Sequence, residues 1–306
     1  MGNSFWFPWE VNLIVSLQNG INPILQKIYE FITFFGDIYA MILIIGFLYW
    51  GYKKDLGKRI ATYAVSALII SISLNNIVMR RRPYFDHSEI KCLKPRSDEG
   101  DIYDAVVQGY SFPSGHSVDS VTSYGVLGIS AKNRLLKIVF LFVIPVIIGL
   151  SRIALGVHYP TDIIVGWALA GLIVFAVSKI KNQKALYLGV LILGIVGCFF
   201  NRSNDYFSAL GIAFGFFGAF IYEEKYVNFD NTKSVPGMII RTVGGFVLFA
   251  VLDTVLKLPF SNEFLTSETI ASLLIRTLRY AVTSFVLMGI YPMCFKLFEK
   301  KQKNKM

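Results

Sequence analysis

The chain has 306 residues, of which 54% are apolar and 16% charged, with a mean hydropathy of +0.55. A soluble domain carries about a quarter charged residues, so a single soluble domain is nearly excluded, and 26 Phe, 16 Tyr and 4 Trp exclude a disordered chain. The net charge of +10 arises from 30 basic and 20 acidic residues. The basic residues cluster between apolar runs, a pattern that favours anionic headgroups and phosphate-bearing substrates over nucleic acid.

In chain order, residues 1–10 are polar and aromatic and lack the basic leader of a cleavable signal. Residues 9–27 keep a rough helical period through Leu13, Ile14, Leu17, Ile21 and Ile24, interrupted by Asn, Gln and Gly, which predicts an interfacial helix and turn. Nine apolar segments follow, at about 30–52, 60–79, 115–131, 136–152, 160–178, 185–201, 207–222, 237–256 and 280–298. Residues 264–279 read as a second interfacial stretch, with Thr266 or Ser267 as its cap and Arg276 and Arg279 at the membrane surface. The one long hydrophilic loop is 84–112; its His87 and its acids Asp98, Glu99, Asp101 and Asp104 read as solvated. Asp253 lies in an apolar run with no partner visible in the sequence. Cys92, Cys198 and Cys294 are scattered, without metal-binding or disulfide spacing.

The expected fold is all-α: a polytopic membrane helical bundle of about nine transmembrane helices. Three regions are expected: 1–59 with the interfacial segment and first span, a core at 60–180, and C-terminal spans with a basic tail at 181–306. Eighteen basic residues, including Lys53, Lys54, Lys58, Arg59, Lys132, Arg134 and the tail lysines Lys296, Lys300, Lys301, Lys303 and Lys305, fall on one side. Ten fall on the other, and seven of those lie at 80–96 or at Arg152. The first side is then cytoplasmic, the N-terminus lies outside and the C-terminus is cytoplasmic.

Three short polar segments share that outer side. They are Asn75 to Pro83, closing the second span; Ser111 to Ser117, opening the third; and Ser151 to Asp162, joining the fourth to the fifth. The second reads as an anion-binding helix start. Pro113 suits a pre-helix position, Ser114 supplies a hydroxyl, Gly115 permits close backbone approach, and His116 lies in the first turn. In the third, His158 precedes Asp162 by four residues. The Asp162 carboxylate can accept from one imidazole nitrogen and leave the other to attack. Arg82 and Arg152 are suited to bidentate contact with phosphate oxygens. Such a set matches phosphoryl transfer through a phospho-histidine.

The order R-P, then P-S-G-H, then S-R-x5-H-x3-D resembles the type 2 phosphatidic acid phosphatase superfamily over roughly 60–180. That superfamily includes bacterial lipid phosphatases, sphingosine-phosphate phosphatases, glucose-6-phosphatase and vanadium haloperoxidases. The second motif matches in full at Pro113 to His116 and the third at Ser151 to Asp162. The resemblance implies that His158 is the nucleophile, Asp162 its orienting partner and His116 the general acid. It further implies that Arg82, Arg152, Ser114 and Gly115 hold the phosphate, and that neither metal nor other cofactor is needed. The family's first motif is K-x6-R-P, and Asn75 stands where its lysine would be. Either Arg81 or Arg80 then compensates, the site stabilises the transferring group less, or the substrate brings its own cation. The layout looks closer to the glucose-6-phosphatase and sphingosine-phosphate phosphatase branch than to six-span lipid phosphatases. The expected partners are an amphiphilic phosphate substrate and the lipid bilayer, with no nucleic acid. Two rival readings are a phosphotransferase using the same first half-reaction and a non-catalytic lipid-binding or transport protein.

Overall fold

The computed structural model describes residues 2–97 and 100–295; Asp98, Glu99 and the tail lysines Lys296, Lys300, Lys301, Lys303 and Lys305 lie outside the described residues. Helices start where the sequence supplies caps. Helices α1 (Pro8–Asn19) and α2 (Pro23–Phe34) carry proline in their first turn, where its missing N–H is no loss. Glu10 accepts the Phe7 N–H at 3.0 Å and Asn22 accepts the Leu25 N–H at 2.8 Å, so each first turn has a side-chain acceptor. Next come α3 (Ile38–Tyr52), α4 (Lys54–Val78), α5 (115–130), α6 (Arg134–Ala154) and α7 (Pro160–Lys179). The series ends with α8 (Gln183–Gly197), α9 (Asn204–Val227), α10 (Val235–Val255) and α11 (Ile270–Phe295). Asn133, Asn182, Ser203, Ser234 and Thr269 cap α6, α8, α9, α10 and α11. Among the described residues, extended backbone pairs only as an isolated bridge between Asn3 and Arg80.

Six helices are long and apolar enough to cross a membrane, namely α4, α6, α7, α9, α10 and α11, and the bent pair of α2 and α3 makes up to seven. The predicted segments at 115–131 and 185–201 are helical but shorter, at 115–130 and Gln183–Gly197. Exposed apolar side chains such as Phe142, Leu172, Phe175 and Val247 line the spans, as expected of surfaces that meet lipid. The chain is a multi-pass, all-helical membrane protein.

Two predicted segments are corrected. The run at 30–52 is not one helix: α2 and α3 meet at a 47° bend. Gly36 and Asp37 lie at that break, and both are weak helix-interior residues. The stretch 264–279 is not an interfacial unit, because Ile270 onward belongs to the spanning helix α11. Only the single turn Asn262–Thr266 precedes it.

The chain forms two compact units, one of residues 1–41 and 70–179 and the other of 42–69 and 180–306. In the second, Gly211 and Gly215 of α9 let its backbone approach α11. A Cβ at Gly215 would lie 2.5 Å from the Ala281 carbonyl oxygen, and one at Gly211 would strike that of Thr277. Trp50 Nε1 donates to the Leu287 carbonyl at 3.1 Å and the Tyr49 hydroxyl donates to that of Met288 at 2.8 Å, tying α3 to α11.

In the first unit, Val11 and Ile14 of α1 pack with Tyr84, Ile90, Ile153, Leu155, Val157, Tyr159 and Ile163. This core lies around the turn from α6 to α7. Gly156 ends α6 with φ +75°. Gln18 of α1 clamps the same turn, with Nε2 donating to the Lys91 carbonyl at 2.8 Å and the Ala154 carbonyl at 3.3 Å. A Cβ at position 156 would strike the Lys91 carbonyl and lie 2.6 Å from Gln18 Nε2. Gly156→Ala is expected to destabilise the protein by about 1–3 kcal/mol, read as a lowered Tm in detergent. An unchanged Tm would contradict this account of the turn.

Candidate active site

The turn that Gly156 permits carries His158, which is 4% exposed. Its Nδ1 lies 2.8 Å from the Ser111 carbonyl oxygen. A carbonyl only accepts, so Nδ1 carries the proton and the Nε2 lone pair is left for other work. This corrects the expected pairing with Asp162, whose Oδ2 lies 3.6 Å from Nδ1, beyond a hydrogen bond. The Asp162 oxygens are already engaged. Oδ2 accepts the Tyr159 N–H at 2.8 Å and Oδ1 accepts from Arg80 Nη1 at 2.6 Å. Asp162 thus caps the first turn of α7 and places its charge beside the imidazole instead of bonding to it. Burial, then the charges of Arg82 and Arg152, hold the His158 imidazole well below the usual histidine range, against the opposing bond to Ser111.

The residues expected to bind phosphate are positioned from three directions. Arg82 Nε donates to the carbonyls of Gln108 at 2.9 Å and Gly109 at 3.1 Å, and its Nη1 donates to that of Val157 at 3.0 Å. It therefore braces the 84–112 loop against the His158 turn. Arg152 Nη1 donates to Thr33 Oγ1 of α2 at 3.0 Å, while its buried Nε has no acceptor among the described residues. A buried guanidinium with an unused donor is suited to receive an oxyanion. Ser114 caps α5. Its Oγ accepts the Ser117 N–H at 3.4 Å and the Ser117 hydroxyl at 3.1 Å, and its own N–H donates to the Asp162 carbonyl at 3.1 Å. Gly115 begins the helix, and a Cβ on it would meet nothing within 4 Å. Its N–H and that of His116 are first-turn groups without an intrahelical acceptor, the kind that bind anions at helix starts. The His116 ring packs against Gly36 at the break between α2 and α3, in electrostatic reach of Arg152, His158 and Arg82.

Four expectations change. Asn75 serves the backbone: its Nδ2 donates to the carbonyls of Tyr110 at 3.0 Å and Phe112 at 3.2 Å, fastening α4 to the segment that precedes α5. Arg81 pairs with Asp86, which also accepts from Ser4 Oγ at 2.8 Å. His87, expected to be solvated, is buried edge-on to Trp6 at 4.5 Å. Asp253 has two partners, Lys257 at 2.6 Å and Arg279 at 3.4 Å.

Arg80 is 1% exposed and, besides Asp162, holds Thr161 Oγ1 at 2.7 Å, Glu10 Oε2 at 2.9 Å and the Phe5 carbonyl at 2.9 Å. The Tyr159 ring lies 4.0 Å from its guanidinium. Glu10 Oε1 closes the network by accepting from the N–H of Thr161 at 3.0 Å and its hydroxyl at 2.6 Å. Sequence reasoning missed Glu10, Thr33 and the Ser111 carbonyl. The first had one available signal, an acid in the first turn after Pro8; the other two had none.

Removing Arg80 leaves two buried carboxylates unpaired. Arg80→Met is expected to cost about 3–5 kcal/mol, whereas Glu10→Gln, which keeps the shape, costs less; thermal unfolding in detergent ranks them. Histidine 15N shifts are expected to show His158 neutral and Nδ1-protonated at about pH 6.5, where an ordinary histidine is half charged. Its folded-state pKa is depressed, so the stability it contributes is complete above the unfolded value and is lost as the pH falls toward the folded one.

Comparison with known proteins follows the same residues. The PAP2 superfamily model matches residues 57–186, and the model for the PAP2 superfamily phosphatase transmembrane extension matches 207–303. Phosphatidylglycerophosphatase B of Bacillus subtilis is 36% identical over 83 residues, covering 24% of this chain and 40% of that protein. Undecaprenyl-diphosphatase of Sulfolobus acidocaldarius is 23% identical over 159 residues, covering 52% of this chain and 71% of that protein. Phosphatidylglycerophosphatase B of Haemophilus influenzae is 34% identical over 87 residues, covering 26% of this chain and 36% of that protein. The chain thus spans well under half the length of the two phosphatidylglycerophosphatases it matches. No solved structure matches it. Residues 57–186, which hold all three motifs, thus form a PAP2 superfamily domain, and 207–303 match that superfamily's transmembrane extension.

Proposed function

We propose that this chain is a membrane phosphatase that hydrolyses a phosphate monoester or pyrophosphate on an amphiphile through a phospho-histidine. The observation that carries the reading is His158: a buried imidazole with Nδ1 committed to the Ser111 carbonyl and Nε2 without a hydrogen-bond partner among the described residues, in electrostatic reach of two arginines. The relatives named for phosphatidylglycerophosphate and undecaprenyl diphosphate supply the substrate class. In this mechanism the phosphoryl oxygens bind Arg152, Arg82 and the first-turn N–H groups of Gly115 and His116. His158 Nε2 attacks phosphorus, the bond from phosphorus to the leaving oxygen breaks, and His116 gives that oxygen a proton. His116 then takes a proton from water, whose oxygen attacks phosphorus. The bond to Nε2 breaks, inorganic phosphate leaves and both histidines return to their starting states. Asp162 stabilises the imidazolium character that develops on His158. Asn75 adds no charge to the phosphoryl group, which leaves its stabilisation to the arginines and the backbone. The distribution of basic residues supports a site on the face away from the cytoplasm.

Phosphate release from phosphatidylglycerol phosphate, phosphatidate and a polyprenyl pyrophosphate by the purified protein tests the reading. His158→Ala is expected to reduce the rate to background, and His116→Ala to reduce it about 10²–10⁴-fold. Equal rates in wild type and His158→Ala would overturn the mechanism. Asn75→Lys is expected to lower activity, because it removes the two bonds to the carbonyls of Tyr110 and Phe112 that hold the segment before α5.

A further inference from the structure

The second unit holds a concentration of positive charge that the phosphatase reading does not use. Where α10 ends and α11 begins, a cavity of about 240 Å³ is lined by Lys257, Asn262, Thr266, Arg276, Arg279 and Tyr280. Leu265 completes the lining; every other lining side chain can donate a hydrogen bond, three are cationic and none is acidic. Asp253 offsets one charge, accepting from Lys257 at 2.6 Å and, at 3.4 Å, from Arg279. Three cations against this one carboxylate leave a local excess of two positive charges.

The arginines are built in rather than draped over the surface. Arg279 is 6% exposed, and Arg276 Nη2 donates to the Leu265 carbonyl at 2.6 Å. The Nε–H groups of both are buried and meet no acceptor among the described residues. Arginines in a spanning helix are retained at a cost and mark functional positions. Unused donors on two guanidinium groups are the pattern that a tetrahedral oxyanion satisfies with several bonds at once. Val255, Leu258, Ile270 and Leu274, from the same ends of α10 and α11 or the turn between them, are exposed and apolar. They offer a surface for acyl chains next to a headgroup site.

We propose that this cavity binds the phosphate group of an anionic membrane lipid. The site is made wholly of residues outside the phosphatase machinery, and it gives the C-terminal helices a role in holding lipid.

Native mass spectrometry on the full chain, released from phosphatidylcholine nanodiscs with and without phosphatidylglycerol, tests the proposal. Wild type is expected to retain phosphatidylglycerol over phosphatidylcholine. Arg276→Gln is expected to weaken that retention about tenfold and Lys257→Gln, at a half-exposed position that tolerates change, about threefold. Asp253→Asn is expected to tighten it, a gain that mere damage to the fold would not produce. Inorganic phosphate alone forms the second arm. If it raises the Tm of wild type and not of Arg276→Gln while no lipid is retained, the lipid is overturned as occupant and free phosphate takes its place. Equal lipid retention and equal phosphate response in all four proteins would overturn the site itself.

Discussion

One buried guanidinium, Arg80, holds the active-site architecture together. It joins Glu10 of the N-terminal helix to Asp162 at the start of α7 and lies over the ring of Tyr159, the residue after His158. Such a charge is tolerable away from water only because two carboxylates, a hydroxyl and a carbonyl satisfy it. The consequence is mechanical as well as electrostatic. Asp162 cannot turn toward His158 without leaving Arg80 and the Tyr159 N–H, so the imidazole takes the Ser111 carbonyl instead. The tautomer that exposes Nε2 therefore follows from a contact several residues away from either histidine.

The same economy explains how a chain so poor in charge concentrates chemistry. Arg82 and Arg152 are each braced by neutral groups, namely three backbone carbonyls and the Thr33 hydroxyl. Neither forms a direct ion pair among the described residues, which leaves their charge for an anion. Little water reaches these groups, which strengthens their interaction with any anion and pushes the His158 imidazole below the usual histidine range. In the second unit the balance differs, since Asp253 offsets part of the charge of Lys257 and Arg279.

Much of this was legible in residue order. His116, His158, Arg82 and Arg152 were readable as candidates because the spacing of Pro113 to His116 and of Ser151 to Asp162 puts histidines and arginines at helix starts and ends. The helical, membrane-embedded character was readable because apolar runs of span length have few other uses. The break at Gly36 and Asp37 was obscured by the strong hydropathy on both sides. The continuity of α11 was obscured by Arg276 and Arg279, which read as surface residues until Asp253 and the Leu265 carbonyl appear as their partners. Arg80, Arg81 and Arg82 are alike in sequence, yet one is buried between two acids, one pairs with Asp86 and one braces the 84–112 loop against the His158 turn.

By itself, the sequence determined the class of molecule and which side chains gather into the candidate site, because composition sets the solvent a chain can live in and motif spacing sets which side chains share a helix end. The tertiary structure decided which atoms those groups bond. It gave the Nδ1 proton of His158 to Ser111, the carboxylate of Asp162 to Arg80, and the amide of Asn75 to two carbonyls. These partners are backbone oxygens or residues far away in the chain. A hydrogen bond depends on distance and direction in three dimensions, and neither is written in the order of residues.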